Sequence, residues 1–296
     1  MLKPIDDMKR VLALFTRCNP RCKVISIWSI LFALILASGM LFYRAEKEKA
    51  FLHLKNDVKD ISEIKIKQFA DWHNDRLADL RMFSESPFLA DAISSWVDKQ
   101  SDDNLKQNIE KRLNLINTNK SYTNIIITNL DGEILINLGE SIDSLDVSTL
   151  RFVKKIAKGN SFFFTDFYPC RTHETLHIDY LAPIKNSSNE ITSIIIFRVN
   201  PYQSIYQILE EWHTQIETAQ NFVFRTEIDS VIFLNSIWEK PFLSFSIGEQ
   251  NGFSYIKNGK FGFSKALSKQ NKELFVYASP IHGTSWLFLK VIDFNR

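Results

Sequence analysis

Between Val24 and Tyr43 run twenty residues without one Lys, Arg, Asp or Glu: VISIWSILFALILASGMLFY. At ~1.5 Å of rise per residue, a helix of that length spans about 30 Å, the thickness of a bilayer's hydrocarbon core. Trp28 and Tyr43 stand near its ends, where interfacial aromatics are favoured. A cleaved signal peptide is the rival reading. Against it, the 23 residues ahead of the run are long for a signal peptide's leading region, and the run exceeds the usual apolar core. The pattern predicts an uncleaved signal anchor. Residues 1–23 hold six basic and two acidic side chains, a net +4 within a total of +2, which leaves −2 for the rest. The positive-inside rule then places residues 1–23 in the cytoplasm, 24–43 in the membrane and the remainder outside.

Composition excludes several classes. With 45% hydrophobic and 24% charged residues the chain should fold rather than stay disordered. A net charge of only +2 argues against nucleic acid as a partner. The nine Gly are scattered and form neither GxGxxG nor GxxxxGK[ST], so the usual phosphate-cradling loops are absent from the sequence. Of three Cys, Cys18 and Cys22 precede the anchor and Cys170 stands alone beyond it, so no disulfide framework is expected. Neither a metal nor another cofactor is expected.

Arg44 to about Ser84 contains no Pro or Gly and reads as one long helix. Phe51, Leu54, Val58 and Ile61 step by three or four, as do later Phe69 and Trp72. A helix that long either spans two stacked domains or pairs with a second copy. Beyond Pro87, apolar spacing predicts a second helix over about 89–116. From Tyr122 the period changes. TNIIITN, Asp131-Gly132 and EILINLG read as a hairpin around a favoured turn dipeptide. A short helix from Ser148 to Lys158 and strands near 161–168, 174–182 and 190–199 follow. Asn200-Pro201 opens another helix, through Tyr202, Ile205, Leu209, Trp212 and Ile216, and strands resume at Asn221. The strand blocks look duplicated. TNIIITNLDGEILINLG resembles NFVFRTEIDSVIFLNSI, and Tyr180 to Ile184 mirrors Tyr277 to Ile281. Asp131 and Pro183 are 52 residues apart, Asp229 and Pro280 51.

Residues 173–177 spell His-Glu-Thr-Leu-His, which on a helix would chelate zinc with Glu as base. Here Pro169 precedes it and IDYLAPI follows, so a strand is expected. His173 and His177 would then stand about 13 Å apart, too far to share one metal. An extracytoplasmic zinc hydrolase is the weakest reading. On that strand Leu176, Ile178 and Tyr180 point one way, His177 and Asp179 the other. Arg198, among apolar neighbours on the next strand, needs an anion or a carboxylate. Asp166 and Tyr168 can join the same concavity. Asp166, Tyr168, His177, Asp179 and Arg198 are therefore the candidate small-molecule site, with surface or internal ion pairs as the alternative.

The layout now resembles a known family. An anchor leads into a long helix carrying Phe69-x-x-Trp72-x-x-x-Arg76 and Phe83-Ser84-x-Ser86-Pro87. Two PAS-like sheets follow, one with Asn129-Leu130-Asp131-Gly132, the other ending on Pro280-Ile281-x-Gly283-Thr284-x-Trp286. Over about residues 45–293 this is similar to the double Cache extracytoplasmic sensor domain of bacterial histidine kinases, diguanylate cyclases and chemoreceptors. The resemblance implies an α+β fold: a long helix (44–85), a membrane-distal PAS-like module (86–200) that takes a small ligand, and a membrane-proximal one (201–296). It implies a homodimer through the long helix and a single-pass protein of the bacterial inner membrane with a periplasmic sensor. The family's amino-acid signature YxxxxRxWYxxA is not found. Arg151 occupies roughly its place without the Trp-Tyr, which leaves a carboxylate or other small anion as the expected ligand, from Arg198 and His177.

No kinase, cyclase or methyl-accepting segment follows, and the late apolar run from Trp286 to Ile292 is broken by Lys290. The expectation is a non-enzymatic sensor whose output lies in a separate signalling protein or a missing part. The alternative is a scaffold that binds no ligand and pairs with a membrane receptor through the long helix.

Overall fold

The computed structural model describes residues 20–99, 102–120, 122–159, 161–169, 176–210, 219–227, 230–234, 244–246, 261–267 and 273–293. The chain divides into two compact units, residues 1–60 and 61–296. Helix α1, Pro20–Ser84, begins in the first unit and ends in the second. Within the first, the apolar side chains of the uncharged run point outward on all sides, from 47% exposed at Leu31 to 70% at Phe42. It is the one described helix long and apolar enough to cross a membrane.

In the second unit the last turns of α1 bury a single stripe: Ile66, Phe69, Trp72, His73 and Leu80. The expected helix over 89–116 is two helices, α2 (Pro87–Lys99) and α3 (Asp103–Lys120). The reason is a start signal inside the apolar pattern. Asp102 caps α3, its Oδ1 accepting from the Leu105 amide at 2.9 Å and its carbonyl from Lys106 at 3.1 Å.

Two sheets follow, called distal and proximal only as names for the first and the second in chain order; the distal sheet consists of β1 (Asn124–Thr128), β2 (Ile134–Gly139), β3 (Phe163–Phe164), β4 (Tyr168–Pro169), β5 (Leu176–Lys185) and β6 (Ile191–Val199). Helix α4 (Val147–Ile156) lies between β2 and β3 in sequence. A 3-10 turn (Pro201–Gln203), capped by the Asn200 side chain, and helix α5 (Ile205–Glu210) lead onward. The proximal sheet holds β7 (Gln220–Thr226), β8 (Ser230–Phe233), β9 (Ser244–Ser246), β10 (Gly262–Leu267), β11 (Glu273–Pro280) and β12 (Leu287–Asp293).

The strand orders are β2-β1-β6-β5-β3, with β4 also on β5, and β10-β11-β12-β7-β8-β9. With β4 and β9 set aside, each sheet has the order 2-1-5-4-3 counted within its own module. The duplication read from the landmarks is therefore a duplication of topology. Tyr180 and Pro183 lie on β5, Tyr277 and Pro280 on β11, and Pro183 pairs Ile194 as Pro280 pairs Leu287.

Two local differences have local causes. The expected two-residue turn at Asp131-Gly132 is a five-residue loop. Asn129 Oδ1 accepts from the amides of Asp131 (3.1 Å) and Glu133 (2.9 Å), and its Nδ2 donates to Glu133 Oε2. Asn186 builds the same loop between β5 and β6 with Ser188 and Glu190. Positive φ falls at the equivalent fourth position, Gly132 (92°) and Asn189 (64°), as an asparagine-opened loop of this type requires. The strand expected over 161–168 is split into β3 and β4, because Asp166 turns its own carboxylate onto the Phe167 amide at 2.8 Å.

Each sheet has one face on α1 and one on a separate core. The distal outer core joins Ile126, Leu181, Ile194 and Ile196 to Val153 and Ile156 of α4. The proximal outer core joins Phe224, Val231, Phe233, Val276, Ala278, Leu287 and Leu289. Against α1, the distal face offers Phe197, whose ring lies 5.8 Å from that of Phe83, and Tyr180, 6.2 Å from Trp72. Arg76 of α1 lies 3.5 Å from Asp79, which also accepts from the Tyr122 hydroxyl at 2.7 Å. The charges of this contact are thus paired.

Candidate functional site

Strands β5 and β6 pair with Asp179 directly across from Arg198. Both side chains leave the sheet on the face opposite α1, Asp179 0% and Arg198 1% exposed. The pair is bidentate: Arg198 Nε donates to Asp179 Oδ1 at 2.9 Å and Nη2 to Oδ2 at 3.0 Å. Tyr168 Oη donates to the same Oδ2 at 2.6 Å and Thr149 Oγ1 at 2.5 Å. Thr165 Oγ1 accepts from the Asp179 amide at 2.9 Å. The Arg198 guanidinium also sits 5.9 Å from the Tyr168 ring centre. On β1, Asn124 stands across from Arg198 on the other side and ties its amide to Asn137 Oδ1 (2.9 Å) and the Glu140 carbonyl (2.7 Å).

Helix α4, the β3–β5 segment and β6 thus deliver one carboxylate, one guanidinium and three hydroxyls to one buried spot. Burial pushes the Asp179 carboxyl up. The Arg198 charge and the hydrogen bonds from Arg198, Thr149 and Tyr168 outweigh it and hold the carboxyl below its usual range. Burial, then the Asp179 charge, push the Tyr168 hydroxyl up, so it stays protonated and donating. The cluster is a neutral ion pair held by uncharged donors.

Four of the five residues expected from sequence meet here. His177 is buried beside Tyr168, across from it in the β4–β5 pairing and with ring centres 6.2 Å apart. Asp166 does not join. Its carboxylate accepts from Trp286 Nε1 at 2.9 Å and pairs with Arg225, both in the proximal module. Arg198 was expected to need an anion or a carboxylate, and Asp179, one strand away in register, supplies the carboxylate. Thr149 and Thr165 escaped the sequence reading because a single Thr in a short helix or loop carries no signal. Arg151 is exposed. Leu176 and His177 open β5, so that end of the HETLH segment is strand, while Cys170 and His173 lie outside the described residues, as do Trp212 and Ile216. A groove of about 600 Å³ lies elsewhere, between the ends of α1 and α2 and the β5–β6 loop, lined among others by Glu85, Asp91, Phe162 and Lys185.

No protein-family model matches the sequence, and no curated protein matches it. Solved structures do. The chain is similar to the ligand-binding domain of the Campylobacter jejuni chemoreceptor Tlp3 in complex with 4-methylisoleucine, at 15% identity and a TM-score of 0.58, over 79% of this chain and 88% of that one. It is similar to that of the Pseudomonas aeruginosa PAO1 amino acid chemoreceptor PctB in complex with L-Arg, at 14% identity and a TM-score of 0.57, over 82% and 96%. The domain of the Pseudomonas fluorescens chemoreceptor CtaA in complex with L-serine gives 13% and 0.57, over 82% and 98%. At these identities the likeness is one of fold. The chain has the α+β fold of the double Cache sensor domains of bacterial chemoreceptors.

Proposed function

We propose that this chain is a non-enzymatic, membrane-anchored sensor of the bacterial inner membrane, with residues 1–23 in the cytoplasm and the two modules outside. In this reading its distal module binds a small molecule at the Thr149, Tyr168, His177, Asp179 and Arg198 cluster. The observation that carries it is the buried, charge-balanced network itself. Replacing such a pair by packed apolar residues is often neutral or stabilising, so the fold does not require it here. It lies in the module that takes the ligand in proteins of this layout, and the solved relatives named above hold amino acids. The ligand we propose is small and without net charge, as a zwitterion is. A lone anion has little to gain from an arginine already neutralised by Asp179.

The anchor reading rests on residues 24–43, whose apolar side chains face outward all around the helix. Transmission in this proposal runs through the segment from Phe163 to Pro169. That segment carries Tyr168 into the cluster and holds Asp166 against Arg225 and Trp286, with the Phe167 ring edge-on to Trp286 at 4.9 Å between ring centres. The output belongs to a partner protein or a further segment, and homodimerisation through α1 is part of the proposal.

The test is thermal unfolding of the detergent-solubilised full chain with the common amino acids and other small zwitterions. Ligand at 100 times its Kd stabilises by about 2.7 kcal/mol, a shift of several degrees. At least one compound should give a saturable rise, and Thr149→Val, which keeps the ion pair, should lose it. No rise with any compound, or an unchanged response in Thr149→Val, would return the chain to the scaffold reading.

A further inference from the structure

The two modules rest on α1 through equivalent rows of residues, and the rows differ. In the distal sheet the row across β1, β6 and β5 is Ile125, Phe197, Tyr180. In the proximal sheet the row across β7, β12 and β11 is Asn221, Lys290, Tyr277. A lysine therefore stands where the twin has phenylalanine. Lys290 is 0% exposed, and its Nζ has no hydrogen-bond partner.

The groups that face it can be named element by element. Helix α1 brings Lys65, also 0% exposed, and Glu63. Strand β11 brings the Tyr277 hydroxyl, which burial and then the Glu63 charge push up. Strand β7 brings Asn221, whose Nδ2 donates to the Leu209 carbonyl at 3.0 Å. Helix α5 brings its Ile208 and Leu209 carbonyls, to which Lys65 Nζ donates. Among the described residues no carboxylate forms an ion pair with Lys290.

Two ammonium groups in one dry contact repel each other, and each loses its hydration. Losing one proton relieves both penalties. Carbonyl acceptors favour the charged form of Lys65, so the proton leaves Lys290. We infer that Lys290 is a proton-operated switch in the contact between helix α1 and the proximal sheet. Neutral Lys290 lets the helix settle, and charged Lys290 pushes against Lys65 and opposes it. Burial and the Lys65 charge bring Lys290 from the ordinary lysine range down to about 8, within reach of mild changes in the surroundings. The sign follows: between about 8 and the ordinary ~10.5 the folded state holds fewer protons than the unfolded one. Stability therefore rises with pH across that window, and below it the whole penalty of the buried charge is present. This contact needs no ligand and stands or falls independently of the distal site.

The test follows Tm of the full chain in detergent from pH 6.5 to 10, for wild type, Lys290→Met and Lys290→Arg. Lys290→Met should exceed wild type at pH 7, and the gap should close toward pH 10. Lys290→Arg, charged throughout, should stay below Lys290→Met at every pH with no closing. Should Lys290→Met fail to fold, Lys65→Met carries the comparison. Removing the like charge should move the wild-type rise to higher pH. A Lys290→Met gap that is zero or constant from pH 7 to 10 overturns the switch. So does a saturable rise in wild-type Tm with sulfate or chloride at pH 7 that Lys290→Met lacks, since the pair would then be an anion seat.

Discussion

The distal and proximal modules share one strand order and place their charges on opposite faces of it. The distal sheet carries Asp179 and Arg198 away from α1 and meets the helix with Ile125, Phe197 and Tyr180. The proximal sheet has Val276 paired with Val291 at the positions of Asp179 and Arg198 and meets the helix with Asn221 and Lys290. The backbone plan therefore does not dictate which face is polar. One module keeps its buried charge in the cluster proposed above as the ligand site. The other keeps its buried charge against the element both modules share.

The largest test of this comparison gives the distal module the proximal residues. Asp179→Val alone leaves Arg198 buried without its carboxylate and should destabilise by about 3–5 kcal/mol in chemical denaturation. Adding Arg198→Val should recover most of that loss, because Val276 and Val291 show the plan accepts the pair. A double variant as damaged as the single one would break the comparison. The acid side sharpens it. With its carboxyl held below the usual range, Asp179 contributes stability that is complete above pH ~4 and lost as pH falls further, a slope the double variant should lack.

The second test addresses the junction. His73 of α1 lies 3.0 Å from the Tyr180 hydroxyl, 4.5 Å from the Phe164 ring and 6.2 Å from Trp286, so it touches both modules. Burial pushes it down from 6.5 to about 4. A depressed base contributes stability that is full above pH 6.5 and drains as pH falls to about 4. Wild type should lose about 2 kcal/mol across that window. His73→Phe should be flat there, and equal slopes would remove His73 as the acid-sensitive joint.

The smallest expected effect belongs to Asp166. Its bond to Arg225 is partly exposed, 25% and 30% on the two sides, so Asp166→Ala should cost only about 1 kcal/mol. In a double-mutant cycle with Arg225→Ala, a coupling of about 0.5–1 kcal/mol is expected. Strict additivity would mean the modules are not latched there.

Much of the fold could be read from periodicity and landmarks because those signals are local. The uncharged run, the change of period at Tyr122 and the repeated Tyr-x-x-Pro spacing needed no knowledge of partners. The break between α2 and α3 was signalled by Ser101-Asp102-Asp103, but continuous apolar spacing on both sides concealed it. The site was harder. Asp179 and Arg198 were both visible as charges on strands, yet their pairing depends on the β5–β6 register, which a five-residue loop sets. Asp166, two residues from Tyr168, went to the other module because a turn at Phe167 reverses its direction. Lys290 was legible only as the residue that interrupts an apolar run. Its importance came from Lys65, distant in sequence and contributed by another element.

Helix α1 meets the proximal sheet at Lys65, the junction at His73 and the distal module at Asp79, all within fifteen residues. Its length between these points is therefore a fixed quantity. One inserted residue turns everything beyond it by about 100° and advances it ~1.5 Å, so the three contacts cannot all be kept. Seven restore the face to within ~20° but displace it by about 10 Å. Along this stretch the helix tolerates substitution of its outward side chains far better than any change in their number, and the spacing of the two modules is written in that count.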